Sequence, residues 1–133
     1  MMANKFRGRP LKILVCGGRD FHYKGVVEAL IESTCYDLHD VPGSVPWSEW
    51  SLICGMAKGV DTLAYEWASK AGMPVEKYPA LWEEHGRSAG YIRNKLMLED
   101  GQPDVVIAFP GGRGTAMMVE IAEKAGVEVI NYD

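Results

Sequence analysis

The sequence predicts one doubly wound α/β domain: a parallel five-stranded sheet with helices on both faces. Three observations carry this. Short apolar runs alternate with segments whose apolar residues recur at helical spacing. The runs end at glycine or proline, the residues that turn a chain sharply. The length, 133 residues, suits a single domain that buries about two thirds of its unfolded surface.

The elements follow in order. Residues 1–10 read as an N-terminal tail, and the basic stretch Lys5, Arg7, Arg9 and Lys12 reads as frayed and solvated. The domain occupies residues 11–133. Leu11 to Cys16 (LKILVC) is a first strand stopped by Gly17-Gly18. From about His22 to Tyr36 a helix is expected, with Val26, Val27, Leu30 and Ile31 at helical spacing. Asp37 to Ser48 holds two prolines and a glycine and reads as a surface loop. Trp50 to Cys54 is a second strand. Asp61 to Ala71 is a second helix, with Asp61 as its N-cap, Leu63, Ala64, Trp67 and Ala68 on one face, and Gly72 at the C-terminal cap. Pro74 to Tyr78 is a short third strand, followed by an aromatic and charged loop from Pro79 to Gly86. Ser88 to Glu99 is a third helix with Ile92, Leu96 and Met97 inward. Asp104 to Phe109 (DVVIAF) is the clearest strand, a continuous run suited to burial on both faces. A fourth helix, Thr115 to Ala125, and a fifth strand, Val127 to Asn131, close the chain.

Composition removes several functional classes. The apolar fraction is 47% and the charged fraction 24%, so disorder, collagen and coiled coil are excluded. The net charge is −4 and the pI about 5.4, which argues against a stable nucleic-acid surface. No apolar run approaches the ~20 residues of a membrane span, and no signal-peptide pattern follows the N-terminal charges. The cysteines are Cys16, Cys35 and Cys54, an odd count without CxxC spacing. They read as small buried hydrophobes in a reduced, cytoplasmic setting, not as a disulfide framework or a metal site. No metal or cofactor is expected.

Glycine is the one excess: 15 residues, about 11% against an average near 7%. Gly17, Gly18, Gly55, Gly59, Gly86, Gly90, Gly111, Gly112 and Gly114 all fall in loops that follow strands. In a parallel sheet those loops open on one edge, where ligands bind at the switch point of strand order. The strongest signal is Pro110-Gly111-Gly112-Arg113-Gly114-Thr115, between a buried strand and a helix. Its N–H groups can form a nest for a phosphate, and Thr115 adds a hydroxyl or caps the helix. It is neither a Walker A loop nor a GxGxxG fingerprint. Gly17-Gly18-Arg19-Asp20 is weaker: either a plain tight turn or an anion site, with Arg19 on a phosphate and Asp20 capping the helix or holding a ribose hydroxyl. Gly55 and Gly59 either wall the pocket or pack helix on strand. Arg93 either joins a surface ion pair or contacts phosphate or base, and Asn94 could read a ring edge. Trp82 either stacks on a base or packs as a lid. No catalytic role is assigned to His22, His39 or His85.

Four motifs in order, ILVCGGRDF, GMAKGVDTLAYEWA, YPALWEEHGRSAGYIRN and VIAFPGGRGTAMM, resemble the YspA-type branch of the SLOG superfamily. These are Rossmann-like domains related to the LOG (lysine decarboxylase-like) proteins and to the DNA-processing protein DprA. The resemblance runs from about Lys12 to Tyr132. It implies a nucleotide or nucleotide-derived ligand held by Gly17, Gly18, Arg19, Asp20, Gly55, Arg93, Asn94 and the loop Gly111, Gly112, Arg113, Gly114 and Thr115. It leaves a homo-oligomer open, since related proteins often pair through helices. LOG enzymes cleave the N-glycosidic bond of nucleoside monophosphates with an Arg-x-x-x-Met helix and a PGGxGTxxE loop. Arg93 and Met97 fit the first pattern. Met118 stands where the second requires glutamate. Glu120 lies about 140° round the helix from Thr115, against about 60° for position 118, so it points elsewhere.

Three functional readings follow. The first is a module that binds a nucleotide-like ligand for sensing or sequestration. The second is a nucleotide N-glycosidic hydrolase with Asp20 as the carboxylate and Arg93 on the phosphate. The third is an interaction protein with a vestigial pocket, pairing through Met117-Met118-Val119.

Overall fold

The computed structural model describes residues 4–132. Five strands form one sheet: β1 (Lys12–Cys16), β2 (Ser51–Cys54), β3 (Val75–Lys77), β4 (Val105–Ala108) and β5 (Glu128–Asn131). Every pairing is parallel, and the order is β3-β2-β1-β4-β5. β1 and β4 are central, β4 buried along its length and β1 from Ile13 onward, as continuous apolar runs require. Leu14 pairs with Ile53 on one side and Val106 on the other.

Alternation along the strands makes two cores. Ile13, Val15, Leu52, Cys54, Val105 and Ile107 face one way, onto α1 (Lys24–His39) and α2 (Val60–Ala71). Leu14, Cys16, Ile53, Val106 and Ala108 face the other way. They meet Met97 of α4 (Ala89–Glu99) and Met118 and Ala122 of α5 (Arg113–Lys124). Two helices cover each face, as right-handed crossovers in this strand order demand. A four-residue helix, α3 (Trp82–His85), and a 3-10 turn at Gly86–Ser88 occupy the aromatic loop before α4.

Several expectations change. Of the expected tail, residues 1–3 lie outside the described residues, and residues 4–10 are docked, not frayed. Phe6 is buried in the first core, the Gly8 N–H donates to His39 O at 2.8 Å, and Arg9 lies 3.6 Å from Asp104. One apolar ring anchors a stretch whose charges otherwise favour water. α1 runs on to His39, where Asp40 takes the left-handed conformation and returns its N–H to Tyr36 O. The 37–48 stretch is not wholly a surface loop: Val45 is buried, and Trp47 packs edge-on against Trp50 and Trp67 with ring centres 5.5 Å apart in each pair.

Two apolar side chains expected inside lie outside. Val26 is 49% exposed and Leu96 47% exposed. In α1 the buried residues are Val27, Ile31, Thr34, Cys35 and His39, a stripe that starts one residue after Val26. In α4 the inward positions are Ala89, Asn94 and Met97, with Arg93 beside them, so polar groups hold the face an ordinary amphipathic helix gives to leucine.

Candidate functional site

The strand order reverses direction between β1 and β4, and the loops that leave those strands meet there. The Gly18 N–H donates to Pro110 O at 2.7 Å, and the Phe109 N–H to Cys16 O at 2.9 Å. The loop before α2 joins them, since Val60 N–H reaches Gly18 O at 3.3 Å. Gly59 makes this junction possible. Its φ is +80°, and a Cβ there would collide with the carbonyl oxygens of Gly18 and Arg19. Much of the glycine excess at the sheet edge therefore serves loop-on-loop packing rather than approach to a ligand.

Above the junction lies a cavity of about 520 Å³, a size typical of small-molecule sites. Gly17, Gly18, Arg19, Gly55, Arg93, Asn94, Gly112, Arg113, Gly114 and Thr115 line it. Gly111 and Asp20 do not. Gly111 faces a smaller hollow of about 320 Å³ on the far side of its loop. Asp20 is exposed, because the chain turns inward one residue later to lay Phe21 against Phe109. Nor do Asp20 and Thr115 cap helices: the N-caps of α1 and α5 are Tyr23 and Gly112, neither with a side-chain bond. α5 begins two residues before the predicted start. Arg113, Gly114 and Thr115 thus form its first turn, whose free N–H groups and dipole favour an anion.

Arg93 and Asn94 brace the cavity from α4. Arg93 donates from Nη1 to Gly55 O at 2.7 Å and from Nε to Asn94 Oδ1 at 2.9 Å. A Cβ on Gly55 would occupy the space of that guanidinium. Asn94 donates from Nδ2 to Gly114 O at 3.1 Å and also contacts Met117 Sδ at 3.4 Å. Its amide is engaged by protein at both ends, so it ties α4 to α5 instead of presenting a free edge to a ring. The chain of bonds runs from the loop after β2, through α4, to the first turn of α5.

Asp61 does not cap its helix, contrary to the expectation from sequence. The N-cap of α2 is Gly59, and Asp61 sits two positions further, 6% exposed and lining the cavity. Its Oδ2 accepts the Ala57 N–H at 3.2 Å. Burial pushes its carboxyl up to about 6, against the pull of the Ala57 and Gly55 amides and the Arg93 charge. Burial likewise lowers the pKa of Arg93, while Asp61 opposes that shift. A signal for Asp61 was present: with Ala64 and Ala68 it forms an i, i+3, i+7 stripe, the apolar face of its own helix.

Apart from Lys58 and the Cys16 thiol the remaining lining is apolar or glycine, and Cys54 lies behind it in the first core. Burial and the Asp61 charge push the Cys16 thiol up to about 12, and burial pushes Cys54 to about 11, so neither is a thiolate at neutral pH. Pro79, Ala80 and a 55% exposed Trp82 make the wall on the β3 side. Met56, also on the lining, holds φ +58°, a strained value for a bulky residue. Met118 is fully buried beneath the floor, and Glu120 points away to Lys124 at 3.0 Å. Among the described residues no helix is long and apolar enough to cross a membrane.

Comparison with known proteins agrees with this architecture. The model of YAcAr, the YspA, cpYpsA-related SLOG family, matches residues 11–85. The Gene 61 protein of Mycobacterium phage D29 is 36% identical over 129 residues, covering 91% of this chain and 95% of that protein. The solved structure of the Moco carrier protein from Chlamydomonas reinhardtii aligns with a TM-score of 0.56 at 21% identity, covering 92% of this chain and 76% of that one. That last likeness is one of fold. With its family model matched over more than half its length and a relative similar nearly end to end, the chain belongs to the YspA, cpYpsA-related SLOG family.

Proposed function

We propose that the protein binds a nucleotide or nucleotide-derived ligand, for sensing or sequestration, in the cavity at the carboxyl edge of the sheet. The observation that carries this is the cavity's charge. In a chain of net charge −4, Arg19, Lys58, Arg93 and Arg113 converge on one hollow beside the open first turn of α5. Arg19, Lys58 and Arg113 are exposed at the rim, while Arg93 is held inside by its two bonds. The solved neighbour is a carrier protein by name, which supports use of this fold to hold a small molecule. Binding without turnover is favoured because the position of the LOG glutamate holds buried Met118.

Calorimetry with AMP, ADP-ribose and cyclic nucleotides tests the reading. Heat is expected from at least one of them, with affinity weakened tenfold or more by Arg113→Ala or Arg19→Ala. No heat from any of them overturns it. The hydrolase reading keeps one specific support, a cavity carboxylate that titrates near neutrality, and that carboxylate is Asp61 rather than Asp20. Incubation with nucleoside monophosphates and chromatography for free base separates the two. Release of base that survives Asp20→Asn and disappears in Asp61→Asn moves the assignment to hydrolysis.

A further inference from the structure

We propose that Asp61 selects the ligand, its carboxylate accepting hydrogen bonds from the sugar hydroxyls of a nucleoside monophosphate whose phosphate lies on the first turn of α5. This rests on the binding reading above, takes the nucleoside monophosphate of the related LOG enzymes as the probe, and adds the residue that reads the sugar.

The order of loops along the sheet edge carries it. Neighbouring strands lie about 4.8 Å apart, so the three steps from β3 to β4 span roughly 14 Å. Along that span the order β3-β2-β1-β4 sets out four walls. Pro79, Ala80 and Trp82 come first, an apolar wall with one large ring. The stretch Gly55 to Asp61 follows β2, and Gly17 to Arg19 follows β1. Gly112 to Thr115 follow β4 and open α5. The open N–H groups of α5 with Arg113 therefore stand at one end of the trough and an aromatic face at the other, with Arg19 and Lys58 on the rim between them.

Asp61 and Arg93 lie between these ends. Each perturbs the other's ionisation, yet among the described residues they form no ion pair. The Nε and Nη1 of Arg93 are engaged by Asn94 and Gly55, which leaves the Nη2 edge for a ligand. A carboxylate accepts about four hydrogen bonds, and among the described residues only the backbone amides of its own loop supply any to Asp61. A group lodged here must donate to a carboxylate and also accept from a guanidinium. A sugar hydroxyl does both. A phosphate does not, because its charge would face that of Asp61. The trough thus fits a ligand with one anionic end, a hydroxylated middle and a flat apolar end.

The test titrates AMP and 2′,3′-dideoxy-AMP into the wild type, Asp61→Asn and Asp61→Ala, with a thermal melt of each variant. The wild type is expected to prefer AMP tenfold or more, the scale of hydrogen bonds to a charged acceptor. The preference should fall close to unity in Asp61→Ala and at least threefold in Asp61→Asn, while affinity for the dideoxy compound is kept. Asp61→Asn preserves an acceptor for Ala57 and decides the matter alone if the alanine variant does not fold. Equal wild-type binding of the two compounds overturns the proposal, as does a preference that persists in either folded variant. If ADP-ribose or a cyclic nucleotide binds and AMP does not, the ligand class proposed here is wrong and the binding reading stands. If none of them binds, both fall.

Discussion

Asp61 is kept at a cost to the fold, and the cost has a sign. Its folded pKa of about 6 lies above the ordinary 3.8, so the folded state holds the proton more tightly than the unfolded state does. Stability from this group is present below the unfolded pKa and is lost as pH rises through the folded one. At pH 7.5 the full difference applies, about 3 kcal/mol at most. Asp61→Asn is therefore expected to raise the stability of the unliganded protein by roughly 1–3 kcal/mol at pH 7.5. The gain should shrink to about a fifth of that near pH 4, and urea denaturation at the two pH values reads it. An asparagine that destabilises at pH 7.5 would mean the carboxylate is structural. Residues of this kind are hard to read from sequence. An Asp just inside a helix start is a common capping pattern, which masks the stripe that Asp61 forms with Ala64 and Ala68; the path of the chain before it gives Gly59 the cap and sends the carboxylate inward.

At the scale of elements, the loop glycines divide into packed and open positions. Gly59 faces backbone at positive φ, whereas Gly112 has open space at its Cβ position. Gly59→Ala should cost more than about 2 kcal/mol, from the strained φ and the clash with Gly18 and Arg19 together. Gly112→Ala should leave the unfolding midpoint within about 0.5 kcal/mol of wild type, since surface changes away from special geometry are small. Denaturant titration of both variants checks this; equal losses would show that the loop junction is not the constraint. The two sites are alike in sequence, both Gly within a few residues of a helix start. What separates them is another loop, from another strand, lying against one and not the other. α4 shows the same effect. Its apolar residues invite Leu96 inward, but the helix also borders the cavity, so Arg93 and Asn94 take the inward face and Leu96 turns to water.

At the scale of the whole molecule, the N-terminal segment straps the ends of α1 and β4 together. Phe6 sits in the first core, Asn4 donates to Leu38 O at 3.0 Å, and Arg9 lies near Asp104. The Asp104 carboxylate also accepts the Lys12 N–H at 2.8 Å, at the start of β1. Phe6→Ala should cost about 3–5 kcal/mol, as core aromatic truncations do. Arg9→Ala should cost less than about 1 kcal/mol, because that pair is half in water. Thermal melts of the two variants measure the difference. If Phe6→Ala melts with the wild type, the segment is a passive tail after all. Charge is also organised at this scale: a net acidic surface surrounds a cation-lined hollow, so affinity for an anionic ligand should fall as salt rises.

The sequence by itself determined the architecture of this protein. Periodicity is local, and a continuous run such as Val105 to Ala108 becomes a central parallel strand in any such fold. It also determined which edge carries the loops, because glycines after strands of a parallel sheet all open on one side. Tertiary structure decided which loop residues touch one another and which face the cavity. Contacts such as Gly18 with Pro110 and Arg93 with Gly55 join residues far apart in the chain, and no local pattern encodes them. Burial of Asp61 is the clearest instance: its pKa is set by the desolvation that three converging loops impose, a property of the assembled edge and of no single segment.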